Sequence, residues 1–224
     1  MRSQEFWTYF DSLRDALRLR ASTFATLFER LDRIERPVVI METGCTRQPG
    51  NWAGDGNSTV LFDHYARTHP GSKVLSVDID SRATETCRSL VSECVTIHTG
   101  DSVKFLQSLA DSGNSRIKHL DLVYLDSFDF DRNNPVPSAA HHLMELAAIA
   151  PMLCAETMVV VDDAFLSFEA IITGEQQFTI LHPPRIDGKA RFVAEYAAHV
   201  GAESIFTGYQ CGWIKMRGSV TRSE

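Results

Sequence analysis

Carboxylates follow each of the main apolar runs in this chain. Val38-Val39-Ile40-Met41 leads into Glu42-Thr43-Gly44, and Val77 leads into Asp78-Ile79-Asp80. A third run ends in His98-Thr99-Gly100-Asp101-Ser102, a fourth in Leu125-Asp126 and a fifth in Val161-Asp162-Asp163. Acidic groups at adjacent strand ends suit the hydroxyls and ammonium of a nucleoside-bearing ligand better than phosphates. Asp126, Asp162 and Asp163 would repel one another if they converged without a cation or a proton between them. Oxygen-only donors of this kind suit Mg²⁺, Mn²⁺ or Ca²⁺, not zinc. His141, His142 and Asp129 add groups able to accept a proton.

The first of these acids opens a long polar loop, Gly44 to Thr59, with Cys45, Trp52 and several glycines in it. Gly56 and its fellow glycines permit close backbone approach, and Asn57 or Ser58 can cap the helix beyond the loop. A dinucleotide site would need GxGxxG directly after the strand; Gly-Cys-Thr-Arg-Gln-Pro stands there instead. The acids therefore point to S-adenosylmethionine and away from a dinucleotide. Asp78 suits a pair of ribose hydroxyls, or serves as a helix N-cap, a task open equally to Asp80 or Ser81. Asp101 suits an adenine amino group, or caps the helix beginning at Ser102. Cys45 reads either as a reactive thiol or as a small buried filler.

His141 and His142 lie in a helix that starts at Pro137-Ser138. Adjacent helical residues point about 100° apart. His142 shares a face with Leu146 and Ile149 and points inward, while His141 lies on the Glu145 side. Either can act as a general base, and an inward histidine can equally do no more than bond a backbone carbonyl. The turn-rich segment Asp129 to Pro135 can shape an acceptor pocket, with Asp129 as another base candidate. Lys189 and Arg191 could meet an anionic substrate, although charges opening a helix are ordinarily solvated, and Trp213 reads as core.

Positioning these groups requires a layered sheet. Strand-like runs cover 38–42, 73–78, 94–98, 121–126 and 157–162, with helical segments at 58–68, 81–91, 102–111 and 138–150. Near-continuous apolar strands alternating with amphipathic helices predict a doubly wound, Rossmann-like α/β fold whose sheet is mostly parallel and covered on both faces. Right-handed crossovers place all strand-end loops on one rim. A helix at 188–200 and strands Glu203–Thr207 and Cys211–Met216 predict a closing antiparallel hairpin, succeeded by a polar, frayed tail from Arg217 to Glu224. Residues 5–35 carry apolar side chains at helical spacing until Pro37 stops them. The division expected is a helical extension, 1–36, ahead of a single domain, 37–224. The extension would cover the sheet, contribute to a lid, or join two copies of the chain.

The 224 residues suffice for one domain with a filled core, and 44% apolar with 23% charged residues is ordinary for a globular protein. A net charge of −7 argues against a broad nucleic-acid-binding face. No apolar run reaches membrane-spanning length, and Met1-Arg2-Ser3-Gln4-Glu5 lacks the apolar centre of a signal peptide. A cytoplasmic protein is the expectation. The five cysteines are widely spaced without a CxxC pair, which reads as free thiols.

Glu42-x-Gly44, Asp78 and Gly100-Asp101-Ser102 stand in the order and at the strand ends seen in class I S-adenosylmethionine-dependent methyltransferases, which the chain resembles over residues 37–216. The resemblance implies that Glu42 and Gly44 line the methionine portion, Asp78 holds ribose and Asp101 contacts adenine. Gly56, Ser58 and Ser102 complete the expected cofactor contacts. The insertion Arg47–Gly56 departs from the compact loop usual in that family. Asp126 with Asp162 and Asp163 resembles the Mg²⁺ ligands of its metal-dependent small-molecule O-methyltransferases. That likeness implies methyl transfer to a sugar-like or natural-product-like hydroxyl, assisted by a divalent cation, with no nucleic-acid or membrane partner expected. The rival readings are a non-catalytic cofactor-binding or assembly module and a nicotinamide-dependent oxidoreductase.

Overall fold

A computed structural model describes residues 2–111, 117–175 and 177–217. The chain opens with helices α1 (Gln4–Leu17) and α2 (Ala21–Leu31), which meet at a single tight turn, Arg18–Arg20. It then alternates β1 (Val39–Thr43), α3 (Ser58–Arg67), β2 (Lys73–Asp78), α4 (Ser81–Leu90), β3 (Val95–Thr99), α5 (Ser102–Asp111), β4 (Leu122–Leu125), α6 (Val136–Ile149) and β5 (Met158–Val161). Strands β6 (Ala164–Ser167), β7 (Ala170–Gly174), β8 (Gln177–Ile180) and β9 (Arg185–Gly188) precede α7 (Arg191–Val200). The hairpin β10 (Glu203–Phe206) and β11 (Cys211–Ile214) comes last.

Seven strands form one sheet in the order β10-β11-β5-β4-β1-β2-β3. β1 to β5 are mutually parallel, while β11 runs antiparallel to β5 and β10 antiparallel to β11. This is the mostly parallel α/β sheet with a C-terminal antiparallel hairpin that the strand pattern predicts. It places the ends of β4 and β5 side by side. Alternation along the strands sends Ile40, Tyr124 and Val160 to one face and Met41, Val123 and Val159 to the other. Helices α5, α6 and α7 cover the second face, with Leu106, Leu146, Ile149 and Val193 buried there.

The first face is covered by α1, α2 and α3. Phe6 meets Phe28 edge to face at 4.6 Å, and Phe24 stacks on Tyr124 at 5.8 Å. Such pairs add directional preference to the area they bury. Of the three roles open to the N-terminal helices, this geometry is sheet covering: the stripe Phe6, Phe10, Phe24 and Phe28 is fully buried within the chain's own core.

Two features depart from expectation. The helical period of 5–35 is interrupted where Arg18 takes φ +51°, which redirects the chain so that Arg20 turns inward. The segment between β5 and α7, for which the sequence predicts no element, forms an antiparallel arm in which β6 pairs β9 and β7 pairs β8. Its outer strands expose apolar side chains, Ile172 at 87% and Phe178 at 62%, so they carry no burial pattern to read. In the tail, residues 218–224 lie outside the described residues. Among the described residues no helix is long and apolar enough to cross a membrane.

Candidate functional site

The ends of β1, β2 and β4 frame an open cleft of about 230 Å³. Gly44 forms its floor at φ +79°, and a Cβ there would lie 2.5 Å from the Asp126 carbonyl oxygen. Only glycine lets the β1 end approach the β4 end so closely. Gly44 N–H donates to Val77 O at 2.8 Å, which fixes the turn. Asp78 faces the cleft, its carboxylate held by Cys45 N–H at 3.0 Å and Asp80 N–H at 2.8 Å. Two backbone donors orient the group and leave its remaining lone pairs to a ligand.

Five carboxylates line this cleft: Asp55, Asp78, Asp80, Asp126 and Asp129. Arg47 is the one arginine or lysine among the lining residues, and it is engaged with Asp55 at 3.1 Å and Asp129 at 3.0 Å. Such a surface repels a pyrophosphate and attracts a cation bearing hydroxyls. Its donor set fits S-adenosylmethionine, whose ammonium and sulfonium are positive and whose ribose offers two hydroxyls. Ile79, 76% exposed between two acids, supplies an apolar wall that the sequence reading passed over. Its signal was a large aliphatic residue immediately past a buried strand.

Other expected cofactor contacts lie elsewhere. Glu42 is fully enclosed beneath the cleft and accepts from Ser58 Oγ (2.6 Å), Thr59 Oγ1 (2.7 Å) and Ser76 Oγ (2.7 Å). Burial pushes its carboxyl up to about 8. Glu42 therefore ties β1 to β2 and α3 instead of touching a ligand, which corrects the expected contact; Ser58 does line the cleft. Asp101 takes its capping alternative, accepting from Lys104 N–H at 3.0 Å at the start of α5. Ser102 is buried, with Oγ 3.0 Å from His141 Nε2. Gly56, at φ +71°, lies against the Arg20 side chain. Cys45 is buried beside Cys87 and Ala83, the filler reading, and Trp52 packs on the aromatic core.

Neither histidine reaches the cleft. His142 is fully buried; its Nδ1 meets Ser138 O at 2.7 Å and its Nε2 has no partner. Burial lowers its pKa to about 4. His141 sits 3.3 Å from Glu145, whose hydrogen bond raises its pKa. Of the three base candidates, Asp129 alone lines the cleft. It also lines a second cleft of about 580 Å³ beyond the β5 end, with Phe130, Asp163, Phe165 and Tyr209.

The acidic set at the β4 and β5 ends converges as expected, but its charge is met by the chain's own cations. Lys189 Nζ lies 2.5 Å from Asp126 Oδ1 and 2.9 Å from Asp163 Oδ2. Arg20 Nε lies 2.8 Å from Asp162 Oδ2, and its Nη2 is 3.3 Å from Asp163 Oδ1. Tyr124 and Tyr209 hydroxyls donate to Asp162 and Asp163 at 2.7 and 2.6 Å. Burial opposes the charge on Lys189, yet Asp126 and Asp163 outweigh it and raise its pKa. Burial likewise works against the Asp163 carboxylate, and Lys189 outweighs that to lower its pKa.

The expected Mg²⁺ ligands Asp126, Asp162 and Asp163 thus do not fit a divalent cation, because ammonium and guanidinium groups occupy their oxygens. Among the described residues no group of three or more His, Cys, Asp or Glu side chains is disposed to hold a metal. The sequence reading missed both cations. Arg20 stands three residues after Leu17 and four before Phe24, on the apolar stripe, and that position was its signal. Lys189, read as solvated, is 1% exposed. Trp213 is core, as read.

No family model matches the chain, and no curated protein matches its sequence. Solved structures resemble it at low identity. The DhpI complex with SAH is 12% identical, with 93% of each chain covered and a TM-score of 0.43. LepI in complex with SAM is 11% identical at a TM-score of 0.47; the match covers 84% of this chain, which spans 45% of the LepI chain. An S-adenosylmethionine-dependent methyltransferase from Clostridium acetobutylicum is 10% identical, covering 84% of this chain and 88% of its own, with a TM-score of 0.42.

Proposed function

We propose that the chain transfers a methyl group from S-adenosylmethionine to a hydroxyl of a small molecule. The observation that carries this reading is the Asp78 carboxylate, fixed by two backbone N–H groups and open to an acid-lined cleft above Gly44. Bound there, S-adenosylmethionine supplies an electrophilic methyl group on a positively charged sulfur.

The residues of the chain do the rest. Asp78 accepts from the ribose hydroxyls, and Gly44 brings the floor close enough to fix the ligand's depth. The surrounding carboxylates favour its positive charges. The acceptor occupies the neighbouring cleft, where Phe130 and Phe165, edge to face at 5.5 Å, exclude water. Asp129, on the wall common to both clefts, takes the hydroxyl proton. Alignment of the two ligands across that wall provides most of the acceleration. No metal enters this reading.

Calorimetric titration of the full chain with S-adenosylmethionine, S-adenosylhomocysteine and NADH tests it. Saturable binding of the two sulfur ligands and none of NADH is the expected outcome. Tight NADH binding with no response to either sulfur ligand overturns the reading in favour of hydride transfer.

A further inference from the structure

Glu145, on α6, is fully enclosed, and three side chains converge on its carboxylate. Ser127 Oγ donates to Oε1 at 2.6 Å, Thr43 Oγ1 donates to Oε2 at 3.1 Å, and His141 Nε2 stands 3.3 Å from Oε1. Burial works against charge on Glu145, but the hydrogen bond from His141 leads the groups that outweigh it and lower its pKa. An ionised carboxylate only accepts, so each hydroxyl gives its proton to Glu145 and keeps only lone pairs for its other side. For Thr43 that other side is filled, since Asp126 N–H donates to Thr43 Oγ1 at 3.3 Å. For Ser127 it is open. Among the described residues none donates to Ser127 Oγ, and Ser127 lines the first cleft, its Cα 3.1 Å from where a Cβ on Gly44 would stand.

We infer that Ser127 is a specificity-determining residue of this cleft, a hydroxyl held as an acceptor by Glu145 and matched to the ammonium of S-adenosylmethionine. The sheet order gives the direction. β2 and β4 flank β1 on opposite sides, so a ribose on Asp78 at the β2 end leaves the rest of the ligand to cross Gly44 towards Ser127 at the β4 end. Asp126 and Asp129 stand on that side and favour the positively charged amino-acid end over the neutral adenine. The acids attract any cation, whereas a hydroxyl with its proton already committed accepts only from a group that has a proton to give. The inference rests on S-adenosylmethionine occupying the cleft and names what selects its amino group there.

The test titrates two probes calorimetrically into the full chain, as wild type and as Ser127→Ala. The probes are S-adenosylhomocysteine and the analogue carrying hydrogen in place of its amino group. The wild type should prefer S-adenosylhomocysteine, and Ser127→Ala should narrow that preference about tenfold while binding the analogue as the wild type does. An equal loss of affinity for both probes, or an unchanged preference, overturns the inference. Should Ser127→Ala not fold, Ser127→Cys, whose thiol is a weak acceptor, takes its place with the same expected narrowing. A wild type that binds S-adenosylhomocysteine without preferring it to the analogue defeats the inference alone. A wild type that binds neither defeats the methyl-transfer reading and the inference with it.

Discussion

Arg20 and Asp162 stand 142 residues apart in the chain, with Arg20 Nε 2.8 Å from Asp162 Oδ2 in the fold. The pair is buried and further bonded: Arg20 Nη1 donates to Ala53 O at 3.1 Å, and Tyr124 donates to Asp162. Burial disfavours charge on Arg20, but Asp162 outweighs it and raises its pKa. Arg20→Met leaves Asp162 charged, enclosed and unpaired, which costs about 3–5 kcal/mol. Urea unfolding should show that loss, and Arg20→Met with Asp162→Asn should recover part of it. Full additivity of the two substitutions would refute the coupling.

This pair also marks where the sequence stopped being readable. The strand ends were legible because β1, β4 and β5 are buried on both faces and read as unbroken apolar runs. The acids just past them could be placed on one rim from topology alone. What Asp126, Asp162 and Asp163 face could not, since Lys189 and Arg20 arrive from distant segments. The place of Arg20 on the apolar stripe marks it as inward, but the partner it meets there depends on the positive φ of Arg18, which no periodicity announces. The arm from β6 to β9 escaped because its exposed outer strands lack the alternation that burial imposes. Glu42 was placed correctly on its strand, yet its three hydroxyl partners turn it away from the cleft.

Asp78 is the residue on which ligand affinity should depend most. Asp78→Asn removes the negative charge and replaces one acceptor oxygen by a donor that faces a backbone N–H. Affinity for S-adenosylhomocysteine should fall by about tenfold to a hundredfold, roughly 1.4–2.7 kcal/mol. Calorimetry measures it, and an unchanged dissociation constant would remove Asp78 from the site.

Glu42 and His142 impose opposite pH dependences on stability. Burial pushes the Glu42 carboxyl up to about 8, so the native state keeps a proton that the unfolded chain releases near 4.5. Its contribution is complete below pH 4.5 and is lost as pH rises towards 8, at about 1.4 kcal/mol per pH unit. Burial lowers His142 to about 4, so the unfolded chain takes up a proton near 6.5 that the native state refuses. That contribution is present above 6.5 and is lost as pH falls towards 4. The two slopes oppose each other between 4.5 and 6.5, leaving stability to decline from 6.5 to 8. Glu42→Gln should flatten part of the upper limb in urea unfolding from pH 5 to 8; an unaltered slope would mean Glu42 is ionised in the native state.

Gly44 is expected to be the least replaceable position in the cleft floor. Ala at φ +79° pays the left-handed backbone cost, and its Cβ would stand 2.5 Å from the Asp126 carbonyl oxygen. The neighbour is backbone, carried by β4, and its Asp126 N–H is already bonded to Thr43 O at 3.0 Å. The β1 and β4 ends must separate to admit the methyl group, at a cost on the order of 3 kcal/mol. Because Asp126 moves with them, its 2.5 Å contact with Lys189 should lengthen as well. Gly44→Ala should therefore lower the thermal midpoint and weaken S-adenosylhomocysteine binding together. Gly50→Ala, at a similar φ of +73° but with nothing within 4 Å of the new Cβ, isolates the backbone component. Equal losses in the two variants would show that the Asp126 contact contributes nothing.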